Sequence, residues 1–371
     1  MITRIAVTLL ALSSAIRGAT VTMDSARGEG LFSTLSCVGC HSINGQGGKI
    51  GPDLGRRIDR DFTPARLAST MWNHAPAMWA ALREQGVRAG DLNEQAAADL
   101  FAYFYAARFF EKPGDGGRGK QLFSARHCAD CHGLTQAKVP AAKPVAQWES
   151  TSSPIALVTA MWNHAATMRQ EFAQRKIAWP ELTSQDFSDI LVYARNLPGT
   201  SHPPNLLLVS SGESGQALFE SKGCAACHNG KHALGSRLRV QTLMDIAVDM
   251  WNHAPRMAKA NPSLDVEEMR DLTSYLWAQQ FFLDSGNPAA GKRVFTAKRC
   301  ATCHEDGSSG APQLAGARQV PLTASAMVST LWRHGPQMME QMKAKNIAWP
   351  RFDGAEMTNL IAYLNSRGGG K

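Results

Sequence analysis

Four copies of one short motif, Cys-x-x-Cys-His, constrain this chain more than any other feature. The 371 residues contain eight cysteines, and all eight lie in these copies. The copies comprise Cys37, Cys40 and His41; Cys128, Cys131 and His132; Cys224, Cys227 and His228; and Cys300, Cys303 and His304. Two thiols three residues apart, followed at once by an imidazole, form the c-type haem attachment pattern. The sequence therefore predicts four covalent haem c groups, each with its iron.

The chemistry of attachment explains the spacing of the motif. Both thiols add to the two vinyl groups on one edge of the porphyrin, which holds the ring against a helical turn. The adjacent histidine then supplies one axial nitrogen to the iron. Zinc sites built from Cys-x-x-Cys pairs and a disulfide framework are the alternatives. Neither alternative explains why a histidine follows the second cysteine in all four copies.

Composition and charge restrict the class of protein. Hydrophobic residues make up 44% of the chain, which is typical of a globular protein. The formal net charge is +8, but the basic residues are scattered and form no run of like charge. Four haems would also add ionised propionates, which bring the holoprotein closer to neutrality. We therefore expect no nucleic-acid partner.

The N-terminal residues indicate a location outside the cytoplasm. Residues 1–19 combine Arg4, an apolar stretch at 5–12 and small residues at 13–15. This pattern predicts a secretory signal peptide that is too short for a confident membrane span. The alternative is an uncleaved N-terminal anchor, which would attach the protein to a membrane. We expect a periplasmic or other extracytoplasmic location.

Repeated segments surround each haem motif and predict the domain organisation. A Gly-x-x-Leu/Val-Phe segment precedes each motif and predicts a short helix with its phenylalanine inward. The starting glycines and the phenylalanines are Gly28 and Phe32, Gly119 and Phe123, Gly215 and Phe219, and Gly291 and Phe295. An amphipathic helix is predicted to close each repeat, at residues 98–110, 187–196, 269–282 and 357–366.

These repeats predict an all-α fold of four tandem small helical domains, each around one covalent haem c. The predicted bounds are 24–112, 113–200, 213–284 and 285–371, with a linker at 201–212. Repeats two and four share Ile-Ala-Trp-Pro, beginning at Ile177 and Ile347. This similarity, together with the proline-rich break near the linker, predicts two halves, in which the first domain packs on the second and the third on the fourth.

A second shared block, Trp-x-His-x-x-x-Met, supplies candidates for the distal iron ligand. The methionines are the preferred ligands, because a thioether is a soft ligand suited to haem iron: Met78, Met168, Met257 and Met338. The histidines four residues earlier are the alternative, since residues at this spacing share one helix face: His74, His164, His253 and His334. Pro76, Pro255 and Pro336 lie between the two candidates and are predicted to kink or restart the helix.

Further residues are predicted to contact the haem or its ligands. The block tryptophans are candidates to donate an indole N–H to a propionate, although aromatic packing is the alternative: Trp72, Trp162, Trp251 and Trp332. In the loops after the first and fourth motifs, Pro52 and Pro312 are predicted to accept the ring N–H of the proximal histidine through their carbonyl groups.

Each repeat resembles a class I cytochrome c domain. The resemblance rests on Cys-x-x-Cys-His near the start, a proline-containing loop, a candidate distal methionine and a closing helix. It extends over roughly residues 25 to 367, so the chain resembles a multihaem cytochrome c of four fused monohaem modules. The resemblance implies a small helical globule around each haem, with electron transfer as the function.

These expectations favour an electron carrier that serves redox protein partners or a membrane respiratory or photosynthetic complex. Two other classes remain as alternatives. One is a haem enzyme of the peroxidase or nitrogen-oxide reductase type, which requires an open iron position; the shortened third repeat is the first place to look for it. The other is a cytochrome subunit of a membrane complex or a haem filament.

Overall fold

The computed structural model describes residues 23–55, 62–87, 90–108, 114–140, 142–197, 212–234, 241–257, 261–282, 286–305, 310–314 and 321–366. The predicted signal peptide lies outside these residues, as does the predicted linker apart from residue 212. Helix is the main secondary structure of the described residues, which contain one two-stranded antiparallel ladder between Ser42–Ile43 (β1) and Gln46–Gly47 (β2). The all-α prediction is confirmed. Within this described part, no helix combines the length and the apolar character needed to cross a membrane.

The same order of elements recurs in each domain: a first helix, a short turn that carries the haem motif, a middle helix and a closing helix. In the first domain these are α1 (Ser25–Thr34), a 3₁₀ turn (Cys37–Gly39), α2 (Pro64–Glu84) and α3 (Glu94–Arg108). In the second domain they are α4 (Gly116–Ala125), α5 (Cys128–Cys131), α6 (Pro154–Gln174) and α7 (Ser184–Arg195), with 3₁₀ turns at Val145–Gln147 and Glu149–Ser152.

The third and fourth domains repeat this order. In the third they are α8 (Gly212–Ser221), α9 (Cys224–Cys227), α10 (Leu243–His253) and α11 (Val266–Phe282), with 3₁₀ turns at Gly230–His232 and Ala254–Met257. In the fourth they are α12 (Pro288–Ala297), α13 (Ala301–His304), α14 (Ala324–Ala344) and α15 (Gly354–Ser366). The closing helices begin three or four residues before their predicted starts, because polar capping residues precede the first apolar position.

A glycine lies where the first helix of each domain crosses the closing helix. A Cβ atom on this glycine would overlap a backbone carbonyl of the closing helix in all four domains. The glycine and carbonyl pairs are Gly28 and Asp99, Gly119 and Asp189, Gly215 and Asp271, and Gly291 and Asn359. Beside the crossing, the predicted inward phenylalanine packs on a tyrosine of the closing helix, with ring centroids 5.5–5.7 Å apart. The glycine thus allows two helices to approach more closely than a side chain would permit.

The domains pair in an order that the sequence analysis did not predict. The main contacts between helices of different domains join α2 with α14 and α15, α3 with α14, and α6 with α10 and α11. The first domain therefore packs on the fourth, and the second on the third. The predicted pairing of the first with the second domain and the third with the fourth is wrong. Proximity along the chain does not decide which domains pair. The pairing is made by helix surfaces that include the shared Trp-x-His block.

Reciprocal hydrogen bonds join the second and third domains. The Trp162 indole donates to the Pro262 carbonyl at 2.8 Å. The neighbouring Asn163 side chain donates to the Leu264 carbonyl at 2.7 Å and accepts the Leu264 N–H at 3.0 Å. These backbone groups lie just ahead of the closing helix α11, so two adjacent side chains of one domain hold the start of a helix in the other.

The third domain makes the same kinds of hydrogen bonds to the second. Trp251 donates to the Pro180 carbonyl at 3.0 Å, and Asn252 exchanges two hydrogen bonds of 2.9 Å with the backbone of Leu182. In the outer pair, the first domain makes equivalent bonds to the fourth, from Trp72 to Pro350 and between Asn73 and Phe352. Trp332 donates to Gly90 in return at 3.1 Å, but Arg333 replaces the asparagine.

Stacked tryptophans reinforce both domain pairs. Trp179 packs on Trp251 with ring centroids 4.2 Å apart, and Trp349 stacks on Trp72 at 4.0 Å. Trp179 and Trp349 come from the Ile-Ala-Trp-Pro segments of repeats two and four. Each pair therefore contains one domain with this segment and one without it.

We expect Asn252→Ala to weaken the docking of the second domain on the third by about 1–3 kcal/mol, because it leaves the buried backbone N–H and C=O of Leu182 without their partners. The measurement is the midpoint of thermal unfolding followed by circular dichroism. The matched control is Arg333→Ala at the same position of repeat four, an exposed side chain whose removal should change stability by less than about 0.5 kcal/mol. Equal losses in the two variants would contradict the docking role.

Candidate haem sites

Each haem motif begins at a sharp reversal of the chain after the first helix. The residue before the first cysteine has a positive φ in all four domains: Ser36 (63°), His127 (64°), Gly223 (80°) and Arg299 (61°). Three of these residues carry a side chain in a region that normally favours glycine. The backbone N–H of the motif histidine then donates to the carbonyl of the first cysteine at 2.9–3.0 Å in every copy. All four domains, the third included, therefore present the motif in the same turn.

The motif cysteines are available for attachment. All eight are free thiols in the structure, so the disulfide framework gains no support. Burial raises the pKa of the first cysteine thiol to about 11 at Cys37 and Cys300, and to about 12 at Cys128. These thiols thus face apolar surroundings, which suits a thioether bond to the edge of a macrocycle. Among the described residues, no three His, Cys, Asp or Glu side chains cluster so as to hold a metal ion, so the zinc alternative gains no support.

Backbone carbonyls orient the proximal histidines. Nδ1 of His41 lies 3.0 Å from the Pro52 carbonyl, and Nδ1 of His304 lies 2.9 Å from the Pro312 carbonyl. These are the hydrogen bonds anticipated from the two prolines. A carbonyl can only accept, so the proton resides on Nδ1 and the Nε2 lone pair is left for iron.

The second domain uses a carbonyl that the sequence analysis missed. Nδ1 of His132 lies 3.0 Å from the carbonyl of Lys143, which also accepts the indole N–H of Trp148 at 3.1 Å. Lys143 follows His132 by eleven residues, the same offset that separates Pro52 from His41. Equal spacing from the motif was the available signal, because the group that matters is a backbone carbonyl and any residue type supplies one.

A cavity of about 670 Å³ opens beside the motif of the second domain. This volume lies within the range of cofactor sites, roughly 300–1,000 Å³. Its wall includes the attachment residues and both candidate distal ligands: Cys128, Cys131, His132, His164 and Met168. The third domain contributes Trp251, Leu264 and Val266 to the same wall. Size, lining and free thiols all fit a covalently bound haem, and the partner domain completes its pocket.

The candidate distal histidines of the inner domains face the proximal ones. The ring centroids of His132 and His164 are 6.4 Å apart, and those of His228 and His253 are 6.2 Å apart. Burial, together with the nearby His132, lowers the pKa of His164 and favours the neutral imidazole. Met168 lies one turn beyond His164 on α6 and also lines the cavity.

In the outer domains the two candidates share one continuous helix. His74 is exposed on α2, where its Nδ1 donates to the Thr70 carbonyl at 2.8 Å, and Met78 is half-buried. His334 is exposed on α14, and Met338 packs half-buried against the core.

The prolines between the candidates restart the helix in one domain only. α2 and α14 continue through Pro76 and Pro336, so of the two predicted outcomes, a kink or a restart, the restart does not occur there. In the third domain, α10 ends at His253, and Pro255 lies in the following 3₁₀ turn. The relation between His253 and Met257 therefore differs from that in the other three domains.

The tryptophans of the block do not reach propionates through their indole N–H groups. All four N–H groups donate to backbone carbonyls of the partner domain. The packing alternative describes them better, because the donors already have partners. Trp251 does reach a haem pocket with its ring, but the pocket belongs to the second domain and not to its own.

We expect Gly51→Ala to disturb the first haem site, because the added Cβ would overlap the His41 ring and displace it from its hydrogen bond. The readouts are haem content per chain and the visible spectrum of the oxidised and reduced protein. Gly30→Ala is the matched control, since its Cβ would meet no atom within 4 Å. A normal first-site spectrum in Gly51→Ala would show that the contact has no consequence for the histidine.

Comparison with known proteins gives one match. The pattern of the family described as Cytochrome c matches residues 25–105, 117–198 and 288–368, which correspond to the first, second and fourth domains. No curated protein and no solved structure matches the chain. The matched segments cover more than half of the chain, and they contain three of the four attachment turns described above. The chain belongs to the cytochrome c family and is a multihaem c-type cytochrome involved in electron transfer.

Proposed function

We propose that the protein is a tetrahaem electron carrier of the periplasm that passes single electrons between redox partners. The observation that carries the proposal is the fourfold attachment turn. In the third domain, which the family pattern does not match, the His228 N–H donates to the Cys224 carbonyl at 2.9 Å, as in the other copies. The same domain contains the glycine crossing at Gly215. The third domain therefore has the same attachment turn and the same glycine crossing as the three domains that the family pattern matches.

The residues of each site divide the work of binding. The cysteines would form the thioether bonds, and Nε2 of the proximal histidine would bind the iron. At His41, His132 and His304 the carbonyl that accepts from Nδ1 fixes the tautomer and the orientation of the ring. Bound haem supplies a one-electron couple, whose potential depends on axial ligands, nearby hydrogen bonds and burial. The apolar wall of the cavity would influence this potential through burial, because it would exclude water from the iron.

The domain pairs support transfer within the chain. The third domain contributes Trp251 to the wall of the cavity of the second, so the two domains meet beside that site. A further aromatic contact joins the pairs, because Phe101 of the first domain stacks on Trp277 of the third with centroids 5.7 Å apart and planes 6° apart. We infer that electrons move within each pair and between the pairs through these packed regions.

Location and partners follow from the N-terminal sequence and the haem chemistry. Residues 1–19 have the pattern of a signal peptide, and thiol attachment of haem suits an extracytoplasmic compartment. The partners would be redox proteins or a membrane respiratory or photosynthetic complex. The enzyme alternative requires an open iron position. His253 lies opposite His228 in the shortened third domain, the first place to look for such an opening, and this geometry favours the carrier.

We expect the mature holoprotein to contain four haem groups, measured by the pyridine haemochrome assay and by intact mass. The double variant Cys224→Ser and Cys227→Ser should contain three, because the third site loses both thioether bonds. The double variant Cys128→Ser and Cys131→Ser is the matched control in a domain that the family pattern covers. Three haems in the unaltered protein and three in the first variant would contradict a haem in the third domain.

We expect reductive titration to consume four electrons per chain, and we expect the reduced protein to bind no carbon monoxide because both axial positions are filled by side chains. Absorbance during titration and after addition of carbon monoxide measures both quantities. Stoichiometric binding of carbon monoxide at one haem would contradict the carrier and support a haem enzyme with an open site.

A further inference from the structure

We propose that His164 and His253, and not Met168 and Met257, are the distal iron ligands of the second and third domains. The inference rests on the proposed function, since it concerns the haems that those domains would bind. The inner pair of domains would then hold two bis-histidine haems. Met78 and Met338 remain the preferred distal candidates of the outer pair.

The first argument is the distance between the facing imidazoles. A ring nitrogen binds a metal ion at roughly 2 Å, so two imidazoles on opposite sides of one ion have centroids about 6 Å apart. The observed separations are 6.4 Å for His132 and His164, and 6.2 Å for His228 and His253. Both pairs have the spacing that a shared iron requires.

The second argument is that this spacing recurs although the local structure differs. His164 lies in the middle of the continuous helix α6, whereas His253 is the last residue of α10. The chain between the proximal and the distal histidine is also shorter in the third domain, from His228 to His253, than in the second, from His132 to His164. Two different routes thus bring a histidine to the same distance from the proximal ring.

The methionines do not show this constancy. Met168 follows His164 by one turn of the same helix, but Met257 follows His253 within a 3₁₀ turn. The two methionines therefore stand in different positions relative to their histidines. Both side chains are half-buried and pack against the hydrophobic core, which accounts for their presence without a bond to iron.

The consequence is a division of the chain by potential. Methionine as the second ligand raises the potential of a histidine-ligated haem, so two bis-histidine haems would have lower potentials than outer haems with methionine ligands. The low-potential sites would belong to the two domains that pack together at Trp251.

The test is near-infrared magnetic circular dichroism with electron paramagnetic resonance on the oxidised holoprotein. We expect bis-histidine signals from two haems in the unaltered protein. Met168→Leu and Met257→Leu should leave these signals unchanged, because leucine replaces methionine at similar volume. His164→Ala should remove one bis-histidine signal and produce a high-spin or otherwise altered haem.

The haem count in each sample separates failure of this inference from failure of the proposed function. Four haems with histidine–methionine spectra throughout, or loss of a low-spin signal in Met168→Leu, would overturn the ligand assignment alone. Fewer than four haems in the unaltered protein would overturn the tetrahaem proposal. The leucine variants keep the test decisive if His164→Ala does not fold.

Discussion

The backbone just ahead of each closing helix is the point on which the assembly depends. These N–H and C=O groups lie past the end of one element and before the next, so they need partners once the domains pack. Tryptophan and asparagine side chains of another domain provide those partners, as Trp162 and Asn163 do for Pro262 and Leu264. These contacts therefore join two domains and bring a wall of the third domain to the cavity of the second.

The outer pair achieves the same arrangement with a different balance of forces. Arg333 replaces the fourth asparagine, so the two side chain to backbone hydrogen bonds of that position are absent from the described contacts. Neutral hydrogen bonds contribute about 0.5–1.5 kcal/mol each, and an aromatic pair contributes a similar amount. Trp79 supplies aromatic contacts with Trp332 and Trp349, and Gly335 leaves room for its ring. These aromatic contacts thus offset part of the stabilisation that is lost with the two asparagine hydrogen bonds.

Inside each domain, local backbone geometry positions the haem motif. The glycine crossing holds the first helix against the closing helix, and the left-handed residue after the first helix turns the chain into the motif. At His41, His132 and His304 a backbone carbonyl then accepts the Nδ1–H of the proximal imidazole and orients the ring; the carbonyl lies eleven residues after His41 and His132 and eight residues after His304.

The sequence alone determined the attachment residues, the helical class, the four repeats and the inward phenylalanines, because each of these follows from residue type and local spacing. It could not determine which domains pair, since the groups bound across the interfaces are backbone carbonyls and amides that any residue type supplies. The hydrogen bond between His132 and the Lys143 carbonyl could not be predicted for the same reason. The choice between histidine and methionine was also beyond it, because both lie four residues apart on one helix face. Only the tertiary structure brought His164 and His253 to about 6 Å from the proximal rings.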